Sequence, residues 1–366
     1  MNQQKKINSL YIHIPFCSHL CAYCDFTKLI YNEKFASNYL ESVFFELDSY
    51  NIDKVKTLYI GGGTPTSLND HDFELLLKKA SSYLDIDYEF SVEANVENLT
   101  DNKLAIMKKY HVNRISIGVQ SSNDVVLQNY NRHHCFDDAK KVINKVKQYG
   151  FNNINVDLIY GYEGQTLTDL DNDLNNFLSL DVPHISIYSL TINKGTMFYN
   201  NHYQEQNQDD SRLFYDHILN KLRKSGYSRY EISNYCKPGY ESKHNLTYWK
   251  NEQYYGIGLG ASGYINNIRY TNTKNLNKYI NHQFIDEKEI VDQNDLFEYF
   301  LLTNLRLEKG FSRLRFKEIF NYDLYEAKKD IFDEMIKKRL IQVDENIHLL
   351  DEGLIIMDSI ILKLID

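Results

Sequence analysis

No long hydrophobic run and no secretory signal are visible in the sequence, and its cysteines are few; each of these features disfavours a class of protein. No stretch approaches the roughly 18 apolar residues of a membrane span, so a transmembrane helix is not expected. Residues 1–9 carry Lys5 and Lys6 without the apolar segment of a signal peptide. The cysteines number five, and an odd set without a signal peptide disfavours a disulfide framework. We therefore expect a cytoplasmic protein.

The chain also lacks net positive charge, internal repeats and low-complexity segments. Its formal net charge is −9 at pH 7, which disfavours a general nucleic-acid binder. Hydrophobic residues make up 43% of the chain and charged residues 25%, which is ordinary for a protein with a sizeable core. The length of 366 residues predicts about two domains.

Three cysteines, Cys17, Cys21 and Cys24, lie within eight residues with the spacing C-x3-C-x2-C. Three thiolates on one loop can hold three corners of an iron–sulfur cluster and leave one iron open to chemistry or substrate. A zinc site with His19 or His13 as the fourth ligand is the alternative, although zinc sites more often use paired C-x2-C units and no second pair exists. The other cysteines are expected to be buried or half-buried thiols: Cys135 and Cys236.

Apolar, β-branched runs alternate with helical patterns through the first two-thirds of the chain. Six strands are predicted, at 10–15, 56–60, 88–92, 114–119, 154–159 and 185–190. Helices are predicted at 33–49, 70–84, 101–110, 136–149, 169–180 and 209–225. Thr100 and Thr168 are the expected N-caps of two of them. Six strand–helix repeats imply an α/β fold with a parallel sheet, and a doubly wound sheet and a β/α barrel both fit this pattern.

The pattern changes near residue 296. Helices are predicted at 296–307, 312–320, 323–339 and 352–365, around short strands at 340–343 and 347–350. This order suggests a mostly helical, winged-helix-like module. Such modules often bind DNA. Residues 296–366, however, contain 11 Lys and Arg and 14 Asp and Glu, which gives a net charge of −3, and they lack the basic stripe of a DNA-binding surface. We favour an accessory lid or partner-docking module, and we divide the chain into 1–235, 236–295 and 296–366.

Ligands of parallel β/α folds bind at the carboxyl ends of the strands, and polar residues of this chain follow its strands. The cysteine loop follows the first strand, and the segment 61–64 (GGGT) follows the second, where glycines let backbone amides approach a ligand. Glu93 ends the third strand and Gln120 the fourth. Asp157 lies inside the apolar fifth strand, where an unpaired carboxylate is costly. The alternative interpretation is that the glycines form an ordinary turn before a helix and that Glu93 is a solvent-exposed residue at the end of a strand.

The string Y-I-H-I-P-F-C-x3-C-x-Y-C-D-F at 11–26, with G-G-G-T-P at 61–65, resembles the radical S-adenosylmethionine (SAM) superfamily. Within it, the string is similar to HemN-type oxygen-independent coproporphyrinogen III oxidases and their HemW-type relatives. The resemblance implies a partial (β/α)6 barrel and a [4Fe–4S] cluster on the three clustered cysteines. It also implies that the amino and carboxylate groups of SAM chelate the open iron, and that the cluster cleaves SAM to a 5′-deoxyadenosyl radical.

The resemblance implies roles for single residues as well. Three match positions that hold the cluster-bound SAM: Tyr11, Gly62 and Glu93. Seven match positions around a second SAM in HemN-type enzymes, and these equally suit substrate or structure: Tyr23, Gly63, Thr64, Gln120, Arg132, Asp157 and Thr191.

The segment H-N-L-T-Y-W resembles a HemW motif associated with haem binding, and its candidate residues are His244, Asn245, Tyr248 and Trp249. An imidazole can ligate haem iron, and aromatic rings can flank a porphyrin face. The alternative is a helix or loop that packs these rings into the core, with His244 capping or hydrogen-bonding.

A departure from the HemN-type oxidases in the cysteine segment, together with the H-N-L-T-Y-W segment, favours the HemW-type relatives. The oxidases carry a further cysteine two residues after the third, where this sequence has Phe26. The preferred hypothesis is therefore a HemW-like haem chaperone that delivers haem to haem-requiring proteins at the membrane surface, either as a monomer or as a cluster-dependent homodimer. The alternative is an enzyme that decarboxylates the propionates of coproporphyrinogen III. A zinc-binding regulator is a third class.

Overall fold

The computed structural model describes residues 6–206 and 208–365. In chain order the strands are β1 (Ser9–Ile14), β2 (Phe16–Cys17), β3 (Leu29–Ile30), β4 (Val55–Gly62), β5 (Leu84–Asn95), β6 (Arg114–Gln120), β7 (Asn153–Tyr160), β8 (His184–Ser189), β9 (Ser228–Glu231), β10 (Asn234–Cys236), β11 (Tyr255–Ile257), β12 (Ser262–Ile265), β13 (Ile268–Asn272), β14 (Ile285–Ile290), β15 (Phe311–Ser312), β16 (Ile341–Val343) and β17 (Asn346–Leu349). The α-helices are α1 (Glu33–Ser49), α2 (Asp70–Ser81), α3 (Asp101–Lys109), α4 (Asp124–Asn129), α5 (Phe136–Gln148), α6 (Leu167–Ser179), α7 (Met197–Asn200), α8 (Gln208–Lys224), α9 (Lys243–Trp249), α10 (Leu276–Ile280), α11 (Gln293–Asn304), α12 (Arg313–Phe320), α13 (Leu324–Ala327), α14 (Lys329–Lys337), α15 (Asp351–Ile355) and α16 (Met357–Ile365).

Nine of the described strands form one sheet, in the order β11-β1-β4-β5-β6-β7-β8-β10-β9. The strands from β11 to β8 pair in parallel, and β10 and β9 complete one edge in antiparallel fashion. The six predicted strands correspond to β1 and β4–β8, which are adjacent in space in sequence order. The predicted α/β fold built on a parallel sheet is therefore confirmed.

Side chains of the parallel strands alternate between an apolar and a polar face. Residues such as Ile60, Val92 and Val156 are fully buried in the main apolar core with the helices. Their neighbours on the other face line a single cavity, among them Tyr59, Glu93, Ser116, Asp157 and Tyr188. Because five strands contribute to one cavity, the sheet must curve around it. A doubly wound sheet, with helices on both faces, would need apolar side chains on both.

A buried carboxylate connects the β11 edge of the barrel to the outer helices. Glu46 of α1 has no exposed surface. It accepts hydrogen bonds from the Gly258 amide (2.9 Å), the Asn272 amide nitrogen (2.7 Å) and the Tyr279 hydroxyl. Burial raises the pKa of Glu46 to about 7, although all three donors oppose the shift. The three hydrogen bonds of this carboxylate therefore join α1 to Gly258 after β11, to Asn272 at the end of β13 and to Tyr279 in α10.

The C-terminal segment has an apolar core of its own. Phe300, Phe316, Phe332, Ile347 and Leu364 belong to this second cluster, which is separate from the barrel core. The strands β15, β17 and β16 form a small antiparallel sheet beside it. The predicted helices and hairpin of a mostly helical C-terminal module are thus present.

Several sequence-based boundaries were wrong. The helix predicted at 169–180 with Thr168 as N-cap begins earlier, because Thr166 and Asp169 form a reciprocal capping box around Leu167–Ser179. The predicted helix 323–339 divides into α13 and α14 at Lys328, which leaves the helical conformation (φ −124°, ψ 35°). The predicted helix 352–365 likewise divides into α15 and α16. Thr100 caps α3 as predicted.

Membrane-spanning helices were not expected from the sequence. Among the described residues, no helix combines the length and the apolarity that a bilayer crossing requires.

We predict that Glu46→Gln lowers the free energy of unfolding by about 2 kcal/mol. Glutamine keeps the shape of the side chain but replaces one acceptor oxygen by an NH2 group, so that a donor would face the donors of Asn272, Gly258 or Tyr279. The measurement is urea unfolding followed by circular dichroism. Glu41→Gln, on the exposed side of the same helix, is the control and should leave the urea midpoint unchanged. Equal midpoints for the two variants would contradict the assigned role of Glu46.

Candidate functional site

The three clustered cysteines lie on one loop at the mouth of the barrel. Strand β1 continues through Pro15 into β2, which ends at Cys17 and pairs in parallel with β3. The loop between β2 and β3 is held from outside by the Ala22 amide, which donates to the Tyr130 carbonyl (3.0 Å), and by the Asn131 side chain, which donates to the Leu20 carbonyl (2.7 Å). All three clustered cysteines line the barrel cavity, whose volume is about 370 Å³.

Hydrogen-bond donors surround the sulfur atoms. The Thr64 hydroxyl donates to the sulfur of Cys17 (3.7 Å), and the Arg132 guanidinium donates to the sulfur of Cys21 (3.5 Å). Lys28 donates to the carbonyl of Cys24. Burial raises the pKa of Cys17 to about 12 and also raises the pKa of Cys24. Buried thiols of this kind become thiolates when a metal replaces the proton, and the surrounding donors then stabilise the negative sulfurs.

A cluster and a single zinc ion, the two candidates for the cysteine loop, require different spacings of their ligands. No three His, Cys, Asp or Glu side chains in the described part of the chain converge on one metal-ion position. In an iron–sulfur cluster each thiolate binds a different iron, so the sulfurs stand farther apart than the ligands of one zinc ion. Of the two candidate histidine ligands for zinc, only His13 already has hydrogen bonds at both ring nitrogens. Its partners are Tyr11 and the Thr27 carbonyl, whereas His19 lies 3.2 Å from Glu97.

The glycines at the end of β4 pack directly against the end of β1 and Pro15, which lead into the cysteine loop. A Cβ atom on Gly62, whose φ is +114°, would lie 2.4 Å from the ring of His13. A Cβ atom on Gly63 would lie 2.7 Å from the Pro15 carbonyl oxygen. Only glycine fits at either position, so the close approach between the two loops explains the glycines that the sequence analysis identified.

Glu93 lies at the centre of the polar face. It accepts hydrogen bonds from the Tyr59 hydroxyl (2.7 Å) and from the Gly62 amide (3.0 Å). Burial raises the pKa of Glu93 to about 7, and the charge of Asp157 adds to this shift, while the two donors oppose it. The group can therefore change its charge near neutral pH, and as a carboxylate it would attract the ammonium group of a ligand.

The residues predicted around a second SAM also lie in this cavity. Arg132, which is 5% exposed, donates to the Asn95 side chain (3.1 Å) and the Gly118 carbonyl (2.6 Å), as well as to Cys21. Asp157 accepts from Asn155 (2.8 Å), and burial raises its pKa. The other predicted residues that line the cavity are Tyr23, Gly63, Thr64, Gln120 and Thr191, together with Asn245.

Four predicted site residues are not among those that line the cavity: Tyr11, His244, Tyr248 and Trp249. His244 is 1% exposed, and both its ring nitrogens are hydrogen-bonded, to the Thr57 hydroxyl (3.0 Å) and the Tyr248 hydroxyl (2.8 Å). Burial lowers the pKa of His244 to about 3. Trp249 lies beside Arg306 of the C-terminal segment instead (5.9 Å from the guanidinium carbon to the ring centre).

Sequence reasoning missed several polar residues of the cavity wall. Asn95, Arg114, Ser116 and Asn155 occupy the inward-facing positions of β5, β6 and β7. The available signal was the alternation of polar and apolar side chains within strands that otherwise appear continuously hydrophobic.

Known proteins similar to this chain fall into one family. Residues 11–176 match the Radical SAM superfamily. The protein "Heme chaperone HemW" of Lactococcus lactis subsp. lactis (strain IL1403) is 38% identical over 359 residues, which cover 95% of each chain. The protein of the same name from Bacillus subtilis (strain 168) is also 38% identical, over 371 residues that cover 95% of this chain and 96% of the relative.

One solved structure shares the fold over nearly the whole length. The coproporphyrinogen III oxidase HemN of Escherichia coli superposes with a TM-score of 0.85, at 20% identity, over 98% of this chain and 90% of that one. Membership of the radical SAM superfamily implies a [4Fe–4S] cluster and SAM. The three cysteines, the donors around them and the glycine-lined cavity fit both groups. With this fold, these cysteines and relatives of matching length, the chain belongs to the HemN/HemW branch of the radical SAM superfamily.

Proposed function

We propose that this protein is a haem chaperone of the HemW type, which binds haem and passes it to haem-requiring proteins. The observation that carries the proposal is the similarity to proteins named heme chaperone HemW over 95% of this chain. We further propose that it acts in the cytoplasm and delivers its cargo at the membrane surface, alone or as a homodimer. The net charge of −9 is consistent with protein rather than nucleic-acid partners.

We propose that Cys17, Cys21 and Cys24 bind three irons of the cluster and that SAM occupies the cavity beside them. In this arrangement the amides around Gly62 and the carboxylate of Glu93 would bind the SAM amino group. Tyr11 would act as a positioning residue, because its hydroxyl donates to His13, the ring against which Gly62 packs. SAM bound to such a cluster supplies reductive cleavage of its carbon–sulfur bond; the residues of this chain orient it and exclude water.

The remaining cavity residues would contact the far side of the same SAM or a substrate. A volume of about 370 Å³ is near the lower limit of small-molecule sites, which is about 300 Å³. We therefore favour one SAM rather than two. In this arrangement the ribose or the base of SAM would contact the following residues: Arg132, Asp157, Gln120, Tyr23, Gly63, Thr64 and Thr191.

Haem would bind at the mouth of the cavity. Phe26, the residue at the position of the oxidases' extra cysteine, is 65% exposed and lines the cavity. Tyr188 of β8 also lines the cavity and is 42% exposed. Exposed aromatic rings at a cavity mouth offer flat apolar faces to a porphyrin. The contacts of His244, which leave neither ring nitrogen free, favour a packing role for the H-N-L-T-Y-W helix.

We propose that residues 296–366 form an accessory unit that covers the barrel or docks a recipient. Its apolar core is separate from that of the barrel. Arg229, at the antiparallel edge of the barrel sheet, donates to Glu308 (2.7 Å), and Arg315 donates to the Lys250 carbonyl (2.6 Å), so polar contacts join the unit to residues 1–235 and 236–295.

The first experiment separates the chaperone from the oxidase. Anaerobically purified protein with its cluster is titrated with haem, and a second sample receives coproporphyrinogen III, SAM and a reductant. We expect a haem absorption band and no decarboxylated porphyrin. Catalytic turnover to protoporphyrinogen would reject a pure chaperone.

His244→Ala should lower the thermal stability and leave the haem band in place; loss of the band would instead assign the iron ligand to His244.

We predict that Cys17→Ser abolishes the brown cluster absorbance and the bound iron and sulfide. The remaining two thiolates cannot hold a cluster that leaves one iron open. The matched control is Cys236→Ser, because Cys236 is also buried but lies on β10 and does not line the cavity. Retention of iron and sulfide in the Cys17 variant would refute the ligand assignment.

We predict that SAM binds more tightly as the pH rises from about 6 to about 8. The pKa of Glu93 is raised to about 7 by burial, so the group is neutral below that pH and carries a negative charge above it. An ionised carboxylate accepts hydrogen bonds from the N–H groups of the SAM amino group more strongly than a neutral carboxyl group does. Glu93→Gln should weaken binding about tenfold at the higher pH and flatten the pH profile. Anaerobic calorimetry measures both effects, and Glu41→Gln should behave like the unaltered protein.

A further inference from the structure

Helix α9, which carries the H-N-L-T-Y-W segment, is anchored on the inner face of the barrel sheet. Glu89 of β5 is buried and accepts hydrogen bonds from the first backbone amides of the helix, those of Lys243 (3.0 Å) and His244 (3.0 Å). These amides have no partner within a helix, so a carboxylate at this end stabilises it. Glu89 is on the same face of β5 as the cavity residue Glu93, because side chains alternate along a strand.

Side chains of two further strands bind α9 at the same level. Ser9 of β1, Thr57 of β4 and Glu89 are neighbours in the strand register. The Ser9 hydroxyl is hydrogen-bonded to the Thr247 hydroxyl (2.8 Å), and the Thr57 hydroxyl lies 3.0 Å from Nδ1 of His244. Helix α9 therefore lies across the amino-terminal ends of these strands, opposite the cysteine loop.

His244 is held in one orientation and one tautomer. The Thr57 hydroxyl donates to Ser9 (2.8 Å), so Nδ1 of His244 is the donor to Thr57, and the Tyr248 hydroxyl donates to Nε2 (2.8 Å). Burial lowers the pKa of His244 to about 3, and the positive charge of Arg114 on β6 adds to this effect. The ring is therefore neutral near pH 7 and cannot rotate without breaking both hydrogen bonds.

The His244 ring packs on a pair of tyrosines one level closer to the cysteine loop. Tyr11 of β1 and Tyr59 of β4 are neighbours in the strand register. The rings of His244 and Tyr59 stack with their centres 5.2 Å apart and an angle of 27° between their planes. The ring centre of Tyr11 lies 6.1 Å from that of Tyr59. The two contacts restrict the Tyr59 ring.

Tyr59 connects this packing to Glu93. Its hydroxyl donates to the Glu93 carboxylate (2.7 Å), and the Gly62 amide is the second donor (3.0 Å). Burial raises the pKa of Glu93 to about 7, the donors Tyr59 and Gly62 oppose the shift, and the charge of Asp157 adds to it. Loss of the Tyr59 hydrogen bond would therefore raise the pKa of Glu93 further.

Other titratable groups surround Glu93. Three tyrosine hydroxyls face it, and their raised pKa values keep them neutral near pH 7: Tyr11, Tyr188 and Tyr248. The positive charge of Arg114 acts on both Tyr59 and Asp157. Burial raises the pKa of Asp157 as well, so Glu93→Gln is needed to identify the part of any pH dependence that belongs to Glu93.

We propose that helix α9 positions the SAM-binding carboxylate: His244 holds the Tyr59 ring, and Tyr59 holds Glu93 toward the SAM amino group. The proposal deepens the proposed function and rests on the SAM site proposed around Glu93, not on haem at the cavity mouth. It gives the H-N-L-T-Y-W segment a role at the SAM site. His244 and Tyr59 are positioning residues, because they act through Glu93.

The experiment measures SAM binding to full-length, cluster-loaded protein by anaerobic calorimetry between about pH 6 and about pH 8. Tyr59→Phe keeps the ring and removes the donor, and His244→Ala removes the ring that holds Tyr59. We expect both variants to bind SAM at least about threefold more weakly near pH 7 and to move the midpoint of the pH profile upward, because Glu93 ionises only at higher pH. Glu93→Gln should show no such midpoint.

Glu46→Gln controls for a general loss of stability. It alters a buried carboxylate at the β11 edge, outside the cavity wall, and should leave the midpoint of the pH profile unchanged. An unchanged midpoint in Tyr59→Phe overturns the link to Glu93, and an unchanged midpoint in His244→Ala overturns the role of α9. Should His244→Ala fail to fold, His244→Asn keeps a donor toward Thr57 without the stacking ring and replaces it.

A second measurement needs no ligand. Failure of the unaltered protein to bind SAM would reject the SAM site, and infrared spectroscopy of the SAM-free protein then decides whether α9 controls Glu93. The spectra follow the band of the protonated carboxyl group that Glu93→Gln lacks. The pH at which this band disappears should rise in Tyr59→Phe and in His244→Ala, and an unchanged pH would overturn the proposed control of Glu93 by α9.

Discussion

The barrel depends on the alternation of side chains along its parallel strands. Every second residue of β4 to β8 packs outward against helices, and the residues between them face inward. The inward residues include Glu93, Asp157 and Arg114, groups that a solid apolar core could not accommodate without large desolvation costs. The sheet therefore has to enclose a space in which these groups meet one another or a ligand. The cavity follows from the strand pattern, and the cysteine loop closes its upper end.

Burial sets the electrostatic behaviour of this cavity. It raises the pKa of Cys17 to about 12, so this thiol stays neutral until a metal replaces its proton, and it raises the pKa of Glu93 to about 7, so this carboxyl group changes its charge near neutral pH. Glu97 behaves in the opposite way. Burial would raise its pKa, but the hydrogen bond from His134 and the charge of Arg132 outweigh this effect and hold it at about 2. Glu97 therefore stays ionised with its carboxylate 3.9 Å from the Arg132 guanidinium, whereas Glu93 inside the cavity changes its charge near neutral pH.

Rigidity comes from contacts between segments far apart in the sequence. Gly62 and Gly63 lie against His13 and Pro15, so the carboxyl ends of β1 and β4 hold each other in place. On the other side of β1, Tyr39 of α1 donates to the His13 carbonyl (2.6 Å) and accepts from the Leu259 amide (2.9 Å). Together with the bonds of Glu46, these contacts hold β11 to the barrel edge and surround the first strand on both sides. The cysteine loop therefore follows a strand that is held by contacts on both sides.

The sequence by itself determined the parallel β/α order, the mostly helical C-terminal module and the cysteine loop, because hydrophobic periodicity and residue spacing are local properties. Helix boundaries at Thr166 and Lys328 were less accessible, since capping competes between neighbouring residues. Only the tertiary structure decided which polar residues share the cavity. It brought Asn95, Arg114 and Ser116 to the wall through the curvature of the sheet, and it kept His244 out of the wall through a hydrogen bond to Thr57, which is distant in the chain.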